Sequence, residues 1–311
     1  MVNKRRGLLA LGLGAAAAGA AALAYRKADR SPWPDYSEGE RRKVETSDSA
    51  VLLVDVAGPA DGPTVVLAHC WGGDPQNWEA VAAALVGRGH RVVRWHQRGH
   101  GPSTAGSEGF SIDRFGDDLA EIVTQLDLHD VVLAGHSLGG MTAQAFVIRH
   151  PELAVGRVHA LLLVATAAGG LGATPLGRGK DALVKNVALL DRALAGPYGH
   201  LLVRNALGRG ATPAMVRATR DHFVGTPAAT RGGIAEAMVA MDYREGGRAI
   251  TIPTTVVVGT RDALTPVKHS RALAAAIPGA RLEVLPGLGH MLPFECPDRL
   301  VALIEEARHQ N

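Results

Sequence analysis

Three residues far apart in the chain have the types that acyl transfer needs, and each follows a short apolar run. Ser137 sits in Gly135-His136-Ser137-Leu138-Gly139, directly after Val131-Val132-Leu133-Ala134 and directly before a segment with helical spacing. A strand, a sharp turn and a helix in that order hold the hydroxyl of the turn outward, and flanking glycines let strand and helix approach closely. A serine hydroxyl is a weak nucleophile until a base removes its proton. His290, in Gly287-Leu288-Gly289-His290, is placed to be that base. Among 13 histidines, with His136, His159 and His200 competing on composition, its position after the final predicted strand selects it. Asp262, in Gly259-Thr260-Arg261-Asp262 after the run Thr254–Val258, is the acid expected to orient the imidazole. The negative charge that forms on a carbonyl oxygen during attack needs donors aimed at it. One expected donor is the backbone N–H of Leu138. The other comes from His69-Cys70-Trp71-Gly72-Gly73, with Trp71 N–H the first choice and Cys70 the neighbouring alternative.

Such residues need a scaffold that brings strand ends together. Apolar runs at Val51–Val56, Thr64–Ala68, Arg91–Trp95, Asp130–Ala134, Val158–Val164, Thr254–Val258 and Arg281–Leu285 read as strands. Asn77–Gly87, Ile112–Leu126, Leu138–Arg149, His269–Ala276 and Pro297–Arg308 have helical length and spacing. Alternation of this kind predicts an α/β fold with a mostly parallel sheet covered on both faces. Residues 170–248 break the rhythm with helix-like stretches such as Leu183–Leu194 and Ala228–Met241 and no strand. They read as a helical cap inserted into a core formed by residues 50–169 and 249–311. Leaving and returning at the strand ends that carry Ser137 and Asp262, the cap is expected to roof the site with side chains such as Leu190, Phe223 and Met238.

Composition narrows the function classes. With 47% apolar and 20% charged residues, 311 residues are enough for one sizeable folded core. The net charge of +3 comes from the first 50 residues, which hold nine bases and six acids and leave 24 of each in the remainder. A neutral body with 4% aromatic residues gives no support to nucleic-acid binding. Two cysteines, Cys70 and Cys296, exclude a disulfide framework and a Cys-rich zinc site and read as free thiols. The glycine-rich stretch at 177–180 lacks the residues of a phosphate loop, so no nucleotide cofactor is expected. The turn His96-Gln97-Arg98-Gly99-His100-Gly101 reads as structural, without the carboxylates or thiols that would accompany a metal.

Lys4, Arg5 and Arg6 precede an uncharged run from Gly7 to Ala24. Residues 1–30 therefore read as a membrane anchor or a secretion signal, two alternatives the sequence leaves open. Either one, with positive charge before the run, places the catalytic body outside the cytoplasmic membrane. Residues 31–49, with Pro32-Trp33-Pro34, read as a connector.

Taken together, residues 50–308 resemble the α/β-hydrolase superfamily, in its branch with a serine nucleophile and a helical cap. Gly-His-Ser-Leu-Gly-Gly at 135–140 resembles its nucleophile elbow, Gly-Thr-Arg-Asp at 259–262 its acid loop and Gly-Leu-Gly-His at 287–290 its histidine loop. The chain departs from the family pattern at Cys70, where a glycine is usual, and at His96, where an aspartate is frequent. The resemblance implies a serine hydrolase of the esterase or lipase kind, with no metal or cofactor, acting on a small-molecule or lipid-like ester of apolar character. Carbon–carbon bond hydrolysis, thioester or amide cleavage and cofactor-free haloperoxidation share the same triad. A membrane-tethered binding protein on the same fold is the alternative from another class. Oligomeric state is not legible.

Overall fold

The computed structural model describes residues 39–173, 191–194, 196 and 199–309. Eight strands form one sheet: β1 Glu40–Glu45, β2 Val51–Ala57, β3 Thr64–Ala68, β4 Arg91–Trp95, β5 Val131–His136, β6 Val158–Val164, β7 Thr254–Gly259 and β8 Arg281–Leu285. Their order is β1-β2-β4-β3-β5-β6-β7-β8. The first two are antiparallel to their neighbours, and β3 to β8 run parallel. Parallel strands buried on both faces need continuous apolar runs, and every residue of β3, β5 and β7 is buried.

Alternate side chains of each strand feed opposite cores. On one face Val66, Leu133, Leu161 and Val256 pack with Leu119, Ile122, Phe146 and Leu273 from α2 (Ile112–Gln125), α3 (Leu138–Arg149) and α8 (Val267–Ala276). On the other, Val65, Leu67, Val132 and Leu162 pack with Val81, Leu85, Leu300 and Ile304 from α1 (Glu79–Gly87) and α9 (Pro297–Arg308). A short helix, α4 (Pro151–Arg157), leads into β6.

The stretch 31–49 is not only a connector, because β1 lies within it. Its sequence ERRKVE buries only Val44, so no apolar alternation reveals it; a backbone ladder to β2 holds it in place. Charged side chains on an edge strand also discourage further pairing. The turn at 96–103 is structural as expected. Arg98, fully buried, pairs with Asp48 (2.6 Å) and Asp118 (2.7 Å), joining the loop before β2 to α2.

Between β6 and β7 lie α5 (Gly199–Arg204), α6 (Pro213–Gly225) and α7 (Ala228–Ala240). Thr212 caps α6 by accepting from the Met215 N–H. Ile234 and Met238 of α7 pack on Leu138 and Met141 at the start of α3. Leu183, Val187 and Leu190 lie outside the described residues. No helix among the described residues is long and apolar enough to cross a membrane, and residues 1–30 fall outside them.

Candidate active site

Ser137 occupies the one-residue turn between β5 and α3, with φ 54° and ψ −112°. A non-glycine residue in the left-handed region costs about 1–3 kcal/mol and persists only when its surroundings enforce it. Here the Ser137 N–H donates to the Val164 carbonyl (2.9 Å), and the Thr166 hydroxyl donates to the Ser137 carbonyl (2.7 Å). Tight packing completes the turn, since a β-carbon at Gly139 would overlap the carbonyl oxygen of Ala68 in β3.

Asp262 follows the C-terminal end of β7, and His290 lies five residues beyond β8. One carboxylate oxygen of Asp262 accepts from the backbone N–H groups of Leu264 (2.9 Å) and Thr265 (2.8 Å). The other faces His290 Nδ1 at 2.9 Å and the Thr265 hydroxyl at 2.7 Å. Opposite a carboxylate, Nδ1 carries the proton, and Nε2 is left as the acceptor. Burial pushes the Asp262 carboxyl upward. The facing His290 and the hydrogen bonds from His290 and Thr265 outweigh it, and the net shift is below the usual carboxylate range. Asp262 therefore stays ionised where it is needed. Thr265 was not singled out from sequence; the Asp262-x-x-Thr265 spacing of a side-chain-capped turn is the signal that marks it.

Ser137, Thr265 and His290 open onto one cavity of about 340 Å³. Its walls include Met141 of α3 and, from the segment between β6 and β7, Leu171, Leu194, Leu202, Val203, Phe223 and Met238. The loop after β3 contributes Cys70, Trp71, Gly72 and Gly73. Trp71 turns its indole to the cap, donating to the Arg231 carbonyl (3.1 Å) and meeting the ring of Phe223 edge-on at 4.9 Å. Gly72 has φ 64°, and a β-carbon there would overlap Phe223. The Leu138 N–H belongs to the first turn of α3, where donors lack an intrahelical acceptor.

The sequence profile of the alpha/beta hydrolase fold family matches residues 63–297. This chain belongs to that family. It is 31% identical to a non-heme haloperoxidase of Rhodococcus erythropolis over 79% of this chain and 92% of that protein. It is 27% identical to a bifunctional esterase/perhydrolase of Acinetobacter calcoaceticus over 80% and 93%. An esterase from Exiguobacterium antarcticum superposes with a TM-score of 0.77, covering 87% of this chain and all of that one at 22% identity, a likeness of fold. Family and relatives support a hydrolase.

In this α/β hydrolase the loop 69–73 is fixed by two buried histidines. His69 Nδ1 donates to the Cys70 carbonyl (2.8 Å), and its Nε2 accepts from the Gln97 N–H (3.0 Å). His100 Nδ1 donates to the Arg98 carbonyl (3.1 Å), and its Nε2 accepts from the Gly72 N–H (3.1 Å). Each ring uses one nitrogen as an acceptor and is therefore neutral. Burial pushes His69 well down and His100 down to about 4. His136, beside the serine, donates from Nε2 to the His290 carbonyl (2.7 Å), and burial pushes it down to about 3.

These shifts contribute to the acid limb of stability. Because the folded pKa values lie below the ordinary 6.5, the unfolded chain binds protons first as pH falls. The stabilisation is complete above 6.5 and is lost downward toward about 4 for His100 and about 3 for His136. Each histidine contributes a slope of about 1.4 kcal/mol per pH unit in that window. Urea midpoints measured at pH 7, 6 and 5 are expected to fall steadily. A flat profile from 7 to 5 would contradict three neutral, hydrogen-bonded histidines.

The remaining sequence candidates disperse. His159 pairs with Asp130 at 3.4 Å, at the opposite end of the strands from the cavity, and His200 lies in α5. His96 is not among the cavity residues, and no group of three or more candidate metal ligands occurs among the described residues. Cys70 and Cys296 are both free thiols, and burial pushes each to about 12. Besides Thr265, the cavity residues that escaped the sequence reading include His222 of α6 and Asn77, whose side-chain amide donates to His222 Nδ1 at 3.0 Å. Nothing short of the tertiary fold brings positions 145 residues apart together.

Proposed function

We propose that the protein is a serine esterase acting on carboxylic esters of apolar character. The observation that carries the reading is that His290, paired with the buried Asp262, and Ser137 line one cavity whose other walls are mainly aliphatic and aromatic. In this reading Ser137 Oγ attacks the ester carbonyl carbon while His290 Nε2 takes the hydroxyl proton. The backbone N–H groups of Leu138 and Trp71 hold the oxyanion. His290 then gives its proton to the departing alcohol oxygen. A water, deprotonated by His290, attacks the acyl-enzyme carbonyl, and its proton returns to Ser137 as the carboxylic acid leaves. The relatives named for haloperoxidase and perhydrolase activity favour one second reading, transfer of the same acyl group to hydrogen peroxide in place of water.

At about 340 Å³ the cavity is near the lower end of small-molecule sites, which run from roughly 300 to 1,000 Å³. Short and medium acyl chains fit best, each buried methylene adding up to about 0.8 kcal/mol. The deciding experiment is labelling by a fluorophosphonate serine probe, followed by p-nitrophenyl esters of graded chain length. Labelling at Ser137 and turnover that rises with chain length and then falls are expected. Phe223→Ala should move the optimum to longer chains while labelling persists. Absence of labelling would sink the esterase reading, and an unchanged optimum would sink the role given to the cap. The reading extends to location: residues 1–30 tether the enzyme to the membrane or export it, with the catalytic body outside the cytoplasm.

A further inference from the structure

His290 stands on a loop that glycine makes soft, with Gly287 at φ 78° and Gly289 immediately before the histidine. Its imidazole can be placed reproducibly only if the loop is held from outside. The Arg261 N–H on the Leu288 carbonyl (2.8 Å) and the Thr260 hydroxyl oxygen on the Gly287 N–H (2.8 Å) hold its start, and one carboxylate holds the part that carries the histidine. Glu295 Oε2 accepts from the Gly289 N–H (3.0 Å) and Oε1 from the Met291 N–H (3.1 Å), the backbone donors of the residues before and after His290. Oε2 also accepts from the Gly208 N–H (2.6 Å), which belongs to the segment between α5 and α6 in the roof of the cavity. That segment is laddered to the histidine loop on both sides of the carboxylate. The His290 N–H donates to the Ala206 carbonyl (2.7 Å), and the Arg209 N–H donates to the Gly287 carbonyl (3.0 Å). Leu207 and Met291, both buried, close the same small core.

We propose that Glu295 is a positioning residue for His290 and that it ties the base to the cap, so that roof and imidazole move as one unit. The inference rests on the reading of His290 as the general base. Glu295 acts through the backbone and touches no reacting atom. A charged acceptor shared by three N–H donors from two segments holds them in fixed relation, and each donor is rigidly part of its peptide. Displacing the segment 206–209 must displace the peptide of His290 with it. What fills the cavity under the roof then bears on where Nε2 sits, which affects the rate of proton transfer more than binding.

The test uses the full chain, with p-nitrophenyl butyrate as substrate and active sites counted by fluorophosphonate titration. Glu295→Ala removes all three acceptor contacts. Glu295→Gln keeps one oxygen and turns an NH₂ group toward the remaining donors, and it carries the test if the alanine variant fails to fold. Per titrated site, kcat is expected to fall on the order of 10-fold to 100-fold in Glu295→Ala and less in Glu295→Gln, with KM within about twofold. The rate of probe labelling should fall in parallel, because labelling also needs the base. Gly208→Ala, whose β-carbon would run into the Glu295 carboxylate, should reproduce the kcat loss from the cap side. Three results overturn the proposal: kcat per titrated site within twofold of parent in Glu295→Ala, or in Glu295→Gln where the alanine variant does not fold, KM rising alone, or a Gly208→Ala effect confined to KM. A purely structural role would reduce the number of titrated sites or the melting temperature while leaving kcat per site unchanged. If the parent itself is not labelled, the serine esterase reading fails first; if parent and Glu295 variants label equally fast, only this inference fails.

Discussion

Ser137→Ala is expected to give a folded protein with turnover lowered on the order of 10⁶-fold, the loss seen when the nucleophile of a serine triad is removed. The size follows from how little else the hydroxyl does. The contacts that hold the turn are made by the Ser137 N–H and carbonyl, to Val164 and Thr166, and both survive the substitution. The close approach of Gly139 to Ala68 is untouched as well. Alanine meets the same left-handed φ of 54° that serine already tolerates, so the strain is unchanged and stability should move by less than about 1 kcal/mol. Chemistry has no such reserve. On the proposed mechanism, with no oxygen at the elbow His290 has no proton to take and no acyl-enzyme can form. Circular dichroism and thermal melting should match the parent, while p-nitrophenyl butyrate hydrolysis and fluorophosphonate labelling both vanish. A folded variant that hydrolyses at the parent rate would mean that the nucleophile lies elsewhere.

The elements that position this serine are the ones most legible in the sequence. Parallel strands covered on both faces are largely apolar, so Thr64–Ala68, Arg91–Trp95 and Val158–Val164 read off with the boundaries the structure has; the edge strand Arg281–Leu285 did too, though none of its residues is buried. Leu138–Arg149 and Pro297–Arg308 did too, the first fixed by the turn at Ser137 and the second by the proline at its start. Glu40–Glu45 escaped because it is stabilised by a ladder and not by burial, and a ladder leaves no hydrophobic period. The same distinction separates the candidate site residues. Ser137, Asp262 and His290 carry local signatures, each a glycine-marked turn after a strand. Glu295 and His222 carry none. The partner of Glu295 between α5 and α6, Gly208, and the partner of His222, Asn77, lie 87 and 145 positions away, and a lone glutamate or histidine in a helix is indistinguishable from a solvated one until the chain folds. Cap side chains divide in a way that composition does not predict: Phe223 and Met238 reach the cavity, while Ile234 is consumed in packing against the start of α3.

Asp262→Asn is expected to cost turnover on the order of 10⁴-fold with the fold intact, and the hydrogen bonds around the carboxylate explain why so small a change is so damaging. Two of the four groups it accepts from are the backbone N–H groups of Leu264 and Thr265, which cannot turn away. The asparagine oxygen must therefore stay with them. Its NH₂ group then takes the place of the oxygen that faces His290 Nδ1 and the Thr265 hydroxyl. Thr265 adapts, since its hydroxyl can accept from the amide while donating to the Ala165 carbonyl 2.9 Å away. His290 adapts only by moving its proton. Facing a donor, Nδ1 must become the acceptor, and Nε2 takes the hydrogen. An imidazole with its proton on Nε2 cannot receive one from Ser137, and the imidazolium formed in the transition state has lost its counter-charge. Melting temperature should change little, whereas hydrolysis and the rate of fluorophosphonate labelling should fall together, because both begin with that proton transfer. A loss of less than 10-fold would show that something other than Asp262 sets the tautomer of His290.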